Sequence, residues 1–115
     1  MIFGVGIDIV DVRRFKSAMD RKGLCERLFT PSELEYCMGQ RSPEKHLAAR
    51  FACKMSFFKA MGRRFKFREV EVKRGSSGRP EITAPVSGFK FNVTITHDNG
   101  LSLAHTIVEK VDEIS

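Results

Sequence analysis

The chain has no tryptophan, one tyrosine, three cysteines and four prolines in 115 residues. With so little Trp and Tyr, no interleaved aromatic and basic signature of an RNA-binding sheet is present. Cys25, Cys37 and Cys53 are odd in number and lack CxxC spacing, and His46, His97 and His105 fall at no zinc-ligand interval. A closed disulfide framework and a structural zinc site are excluded, and reduced thiols in a cytosol are expected. No apolar run approaches the roughly 20 residues that cross a bilayer. The opening Met-Ile-Phe-Gly-Val-Gly-Ile meets Asp8 without a basic region or a small-residue cleavage site, so no membrane span and no secretory leader are expected. Gly4-Val-Gly6 lacks the third glycine and the following helix of a dinucleotide fingerprint.

What is present supports one domain with one packed core: 42% apolar residues, ten of them Phe, in a chain too short for two ordinary domains. We therefore read residues 1–115 as a single domain. Twenty Lys and Arg oppose fourteen Asp and Glu, giving a net charge of +6. Such a surface favours a polyanion, an acidic protein or a phosphorylated small molecule.

The patterning predicts a strand over Ile2 to Ile9 that delivers Asp8 near its end. Asp11 then caps a strongly basic helix carrying Arg13, Arg14, Lys16, Arg21 and Lys22, with Gly23 as its stop. Thr30-Pro-Ser-Glu33 is a capping box for a short helix through about Cys37. Ser42-Pro43 starts the longest helix, whose apolar face includes Leu47, Phe51, Phe58 and Met61 and which Gly62 ends. The period then changes to two, with Phe65 and Phe67 followed by Val70 and Val72 across a bulge or short break. Gly75-Ser-Ser-Gly78 reads as a turn, Glu81 to Thr83 and Phe89 to Thr96 as strands, and Asp98-Asn-Gly100 as a reversal into a strand over Leu101 to Glu109. The last polar residues are expected to fray. The order argues for an α+β fold, with helices packed on a mainly antiparallel sheet.

Arg50, Lys54 and Phe58 follow one another at i, i+4 spacing on the long helix, and Met55 and Lys59 form a second such pair. Spacing alone leaves open whether these cations bind anything or are merely a solvated face. His97, at a strand end beside a reversal, is placed to reach a cleft or simply to be exposed. Asp8 is open to reading as an ion-pair partner or a helix cap.

A resemblance adds to this. Gly4-Val-Gly6-Ile-Asp8-Ile-Val10 followed by Arg14-Phe15 is similar to the opening of the holo-(acyl-carrier-protein) synthases, the small phosphopantetheinyl transferases. Arg27-Leu-Phe-Thr-Pro-Ser-Glu33 resembles that family's next motif. Arg50-Phe-Ala-Cys-Lys54-Met55-Ser-Phe-Phe-Lys59-Ala-Met-Gly62 resembles its helix signature, Gly78-Arg79-Pro80 its Gly-Lys-Pro turn, and Val93-Thr-Ile-Thr96-His97 its C-terminal strand. The order and spacing of these motifs hold from residue 4 to residue 97.

The resemblance implies transfer of 4′-phosphopantetheine from coenzyme A to a serine of an acyl carrier protein in fatty acid biosynthesis, by a cytoplasmic homotrimer with active sites between subunits. It implies Mg²⁺ as cofactor with Asp8 as one metal ligand, and Lys59 as the cation that steadies the pyrophosphate. Arg50, Lys54, Gly78, Arg79, Pro80, Thr96 and His97 fall on the coenzyme A side, and Arg13, Arg14 and Arg21 on the surface that docks an acidic carrier protein. No nucleic acid or membrane partner is implied.

Met55 departs from the pattern. The family has a Glu there, the second metal-binding carboxylate, and a thioether is a soft group that Mg²⁺ does not use. An altered chain, a homologue of weakened or lost activity, and a carboxylate supplied from elsewhere all remain open. The competing readings from other classes are a non-catalytic module that binds coenzyme A or the carrier protein, and a basic nucleic-acid-binding domain.

Overall fold

Two glycines decide how the first strand sits. In the computed structural model, which describes residues 1–111, strand β1 (Ile2–Asp11) turns its even-numbered residues toward the longest helix, α4 (Pro43–Met61). A Cβ on Gly4 would collide with the Ala60 carbonyl oxygen, and one on Gly6 with that of Ser56. Bare backbone at both positions lets strand and helix approach, and the next residue on that face, Asp8, meets α4 as well.

β1 runs two residues past the expected Ile9, and its last residue, Asp11, caps helix α1 (Val12–Ala18) by accepting from the Arg13 and Arg14 N–H groups at 3.0 and 3.4 Å. α1 stops earlier than its apolar spacing predicts. Asp20 and Arg21 donate three residues back rather than four, which tightens and ends the helix. Gly23, expected as the stop, adopts a left-handed φ of 77° and instead precedes a further short helix, α2 (Leu24–Leu28). Arg21 and Lys22 thus lie in the intervening turn and not on the basic helix.

The capping box forms as read: Thr30 Oγ1 accepts from Glu33 N–H, and Glu33 Oε1 accepts from Thr30 N–H at 2.8 Å, opening α3 (Pro31–Met38). At the start of α4 Pro43 holds the first turn, but the Ser42 side chain makes no capping bond. Gly62, with φ 73°, ends α4.

The expected strand through Phe65 and Phe67 is absent; a single 3₁₀ turn, Phe67–Glu69, precedes β2 (Glu71–Arg74). These rings follow the helix rather than a sheet: Phe65 lies 5.6 Å from Phe57, and Phe67 lies 5.2 Å from Phe58. β2 pairs only with β3 (Pro80–Thr83), so the meander breaks after that hairpin. The main sheet has the antiparallel order β1-β5-β4, with β4 (Phe89–Asp98) turning into β5 (Leu101–Lys110) through Asn99 and Gly100, both at positive φ. The expectation of a frayed tail at 112–115 lies outside the described residues.

One face of this sheet is covered by α4. Ser102, Ala104, Thr106 and Val108 of β5 are fully buried there, with Thr106 Oγ1 2.7 Å from Ser56 Oγ. The opposite face is open: Val5, Ile7 and Ile9 of β1 are 52%, 50% and 57% exposed.

Candidate active site

Four expected substrate-side residues converge on one cavity of about 260 Å³: Arg50 from α4, Gly78 and Pro80 from the β2–β3 hairpin, and His97 from β4. Arg50 is only 8% exposed, its guanidinium lies 4.8 Å from the centre of the Tyr36 ring, and its Nε has no hydrogen-bond partner among the described residues. A buried guanidinium N–H without an acceptor is costly, and an anion entering the cavity would relieve that cost. Arg74 also lines the cavity, and no described carboxylate does. His46, one turn before Arg50, stands edge-on to Tyr36 at 6.0 Å. Burial holds its imidazole below the ordinary histidine range, and the charges of Arg50, His97 and Arg74 push the same way against the weaker pull of Glu44. The arrangement is suited to phosphate.

The second group forms around Asp8. Its Oδ1 accepts from Lys59 Nζ at 3.0 Å, and the same ammonium donates to the Ile7 carbonyl at 2.9 Å. Met55 and Arg14 line a mostly apolar cleft of about 480 Å³ together with Asp8. Magnesium requires several hard oxygen donors. Among the described residues no group of three or more His, Cys, Asp or Glu side chains gathers here or elsewhere. One carboxylate already paired with an ammonium, beside a thioether, does not amount to a magnesium site.

Lys54 corrects an expectation. Its ammonium is fully buried and donates to Glu33 Oε1 at 2.7 Å, Leu28 O at 2.9 Å and Phe67 O at 3.0 Å, leaving nothing for a bound substrate. Burial lowers its pKa, and hydrogen bonding and charge from Glu33 partly oppose this. Glu33 Oε2 accepts from Val72 N–H at 2.8 Å, so the pair ties α3 and α4 to β2, the strand that carries Arg74.

The other expected residues scatter. Thr96 is exposed on the alternate face of β4, opposite Leu103. Arg79 lines an adjoining groove with Glu81, Thr94 and His105, and this groove shares Gly78 and Pro80 with the first cavity. Arg13 shares a cleft with Lys16 and His97, while Arg14 faces Asp8, so α1 stands between the two groups. Arg21 is exposed in the turn beyond. The buried thiols are inert: burial chiefly pushes Cys37 up to about 11 and Cys53 to about 12. Tyr36, His46 and Arg74 were not anticipated. The i, i+4 relation of His46 to Arg50 could have pointed to the imidazole; nothing comparable marked Tyr36 or Arg74.

Comparisons with known proteins agree with this geometry. The family model described as the 4′-phosphopantetheinyl transferase superfamily matches residues 4–108. The holo-(acyl-carrier-protein) synthase of Geobacter sulfurreducens is 37% identical over 125 residues, covering 96% of this chain and 99% of the relative. That of Staphylococcus carnosus is 38% identical over 120 residues, covering 96% and 100%. The crystal structure of the Bacillus anthracis holo-(acyl-carrier-protein) synthase in complex with CoA (3′,5′-ADP) superposes with a TM-score of 0.87 at 27% identity, covering 96% of this chain and 98% of that one.

Proposed function

Because the chain belongs to the 4′-phosphopantetheinyl transferase superfamily, we propose that it transfers 4′-phosphopantetheine from coenzyme A to a serine of the acyl carrier protein of fatty acid biosynthesis. The serine oxygen attacks the β-phosphorus and forms the new P–O bond. The old P–O bond breaks on the side of adenosine 3′,5′-bisphosphate, which leaves, and the serine proton passes to solvent or to a base. The observation that carries this reading is the buried Arg50 Nε, without a hydrogen-bond partner among the described residues, beside a cavity that also gathers His97, Gly78 and Pro80 and contains no described carboxylate.

In this reading Arg50 and His97 hold phosphate oxygens of coenzyme A, and the backbone at Gly78 and Pro80 shapes the pocket around it. Lys59 stabilises charge that develops on the phosphoryl oxygens, a task for which a positioned cation is effective. Thr96 and Arg79 belong to this substrate side by resemblance, and the location of Thr96 outside the cavity supports a site completed by another copy. So does the open apolar face of β1, which further copies of the chain would cover, as a homotrimer requires. Arg13, Arg14 and Arg21 remain the candidate docking surface for the acidic carrier protein. Among the described residues a single buried apolar cluster supports treating the chain as one domain, and the free thiols, two of them buried, suit the reducing cytoplasm. Among the described residues no helix is long and apolar enough to cross a membrane.

Magnesium was expected as the cofactor, with Asp8 a ligand, but the donor set at Asp8, Lys59 and Met55 does not fit it, and no step is assigned to it. This favours a second reading, a module that binds coenzyme A or the carrier protein with little turnover. Calorimetric binding of coenzyme A, followed by chromatographic detection of adenosine 3′,5′-bisphosphate once carrier protein is added, separates the two. Binding with nucleotide release supports the transferase; binding without release supports the module; absence of coenzyme A binding excludes the transferase and leaves only a module for the carrier protein.

A further inference from the structure

The cavity beside Arg50 contains a second imidazole that lay outside every motif in the sequence. His46 is half-buried on α4, and the titratable and charged groups around it are Tyr36 from α3, Glu44 and Arg50 from α4, Lys73 and Arg74 from β2 and His97 from β4. Four of these are cations or potential cations, and neither Glu44 nor Glu71, which lies 3.9 Å from Lys73, lines the cavity. A proton on His46 is therefore disfavoured while no anion is near. A phosphate group entering the cavity reverses that balance, because it offers oxygens to the unpaired Arg50 Nε and negative charge to every surrounding cation at once.

We propose that His46 is a proton-coupled ligand for a phosphate group in this cavity: phosphate enters, the imidazole takes one proton from solvent, and the imidazolium then donates to a phosphate oxygen. Coenzyme A as the natural source of that phosphate rests on the function proposed above, whereas the anion cavity itself does not. The coupling has a definite sign. The free imidazole has a lowered pKa and the phosphate-bound one a raised pKa, so affinity rises as pH falls through the bound value. It ceases to rise where a phosphomonoester itself takes up a proton, near pH 6. Within that window the protein would bind its nucleotide more tightly in mildly acid than in alkaline solution.

The test is an NMR titration of the His46 ring protons in the unaltered chain, with the signal assigned from His46→Gln. It is run alone and with inorganic phosphate, adenosine 3′,5′-bisphosphate, coenzyme A and 3′-dephospho-coenzyme A. Coenzyme A should raise the His46 pKa by about one unit, and calorimetry in buffers of different ionisation enthalpy should show proton uptake that His46→Gln removes, with affinity falling several-fold at pH 6 and little at pH 8. A shift kept with 3′-dephospho-coenzyme A identifies the pyrophosphate as the partner; a shift lost identifies the terminal phosphomonoester. Coenzyme A bound with the His46 pKa unmoved, or proton uptake unchanged in His46→Gln, overturns the proposal. If coenzyme A does not bind but inorganic phosphate still raises the pKa, the anion cavity stands and the coenzyme A reading falls. If neither ligand moves it, both fall.

Discussion

Lys59 Nζ sits 3.0 Å from Asp8 Oδ1, so the cation expected to steady a pyrophosphate and the carboxylate expected to hold a metal are paired with each other. The Lys59 side chain is 52% exposed and the Asp8 side chain 16%. An ion pair open to water on one side contributes only about 0–1 kcal/mol. Ligand charge arriving at this point can therefore separate the two groups at little cost.

Asp8→Asn keeps the shape and removes the charge. It should change folding stability by less than about 1 kcal/mol, since only an exposed pair is lost. It should also abolish any divalent-cation dependence of coenzyme A binding. Thermal melting and a cation titration read the two effects separately. A collapsed melting transition with cation dependence intact would make Asp8 structural.

Met55→Glu adds a second hard carboxylate to the cleft that already contains Asp8. The variant should bind magnesium more tightly than the unaltered chain, and its turnover at low millimolar Mg²⁺ should rise by roughly 10²–10³, the usual effect of one well-placed electrostatic contact. A variant as slow as its parent, or a parent already fast, would refute this account of position 55.

Lys54→Met removes the partner of a fully buried Glu33 carboxylate. Stranding that charge should destabilise the fold by about 3–5 kcal/mol, read from denaturant midpoints. The double change Lys54→Met with Glu33→Gln should recover part of the loss, because no buried charge is then left alone. A single-variant loss below about 1 kcal/mol would show that water or a rearrangement satisfies Glu33.

The long helix, its Gly62 stop, the capping box at Thr30 and the Asn99-Gly100 reversal were legible because each rests on local rules: a 3.6-residue period, a side-chain cap, or a backbone that needs positive φ. Arg50, Gly78, Pro80 and His97, picked out by their motifs, line one cavity. The misreadings have a common cause in tertiary contact. Lys54 looked like a free surface cation because spacing cannot reveal a Glu 21 residues earlier that draws it inward. Phe65 and Phe67 looked like a strand because alternation cannot distinguish a sheet face from rings packed against a helix. Gly23 signalled a stop, while the hydrogen bonds that end α1 act several residues before it.

Arg14→Glu should raise KM for the acyl carrier protein several-fold and flatten its dependence on salt, while coenzyme A affinity stays within about twofold. Charge on a docking surface acts mainly on association with the oppositely charged partner. Steady-state kinetics with each substrate varied in turn checks this, and equal losses for both substrates would place Arg14 in the reaction site beside Asp8 and not on the docking surface. Arg21→Glu, beyond the end of α1, tests whether the following turn takes part.

The most direct measurement is the intact mass of an acyl carrier protein incubated with this chain and coenzyme A across a magnesium titration. We expect one added 4′-phosphopantetheine group per carrier protein, formed slowly by the unaltered chain, faster by Met55→Glu, and not at all when the acceptor serine is replaced by alanine. A carrier protein whose mass never changes with either chain, although coenzyme A binds, would contradict this expectation.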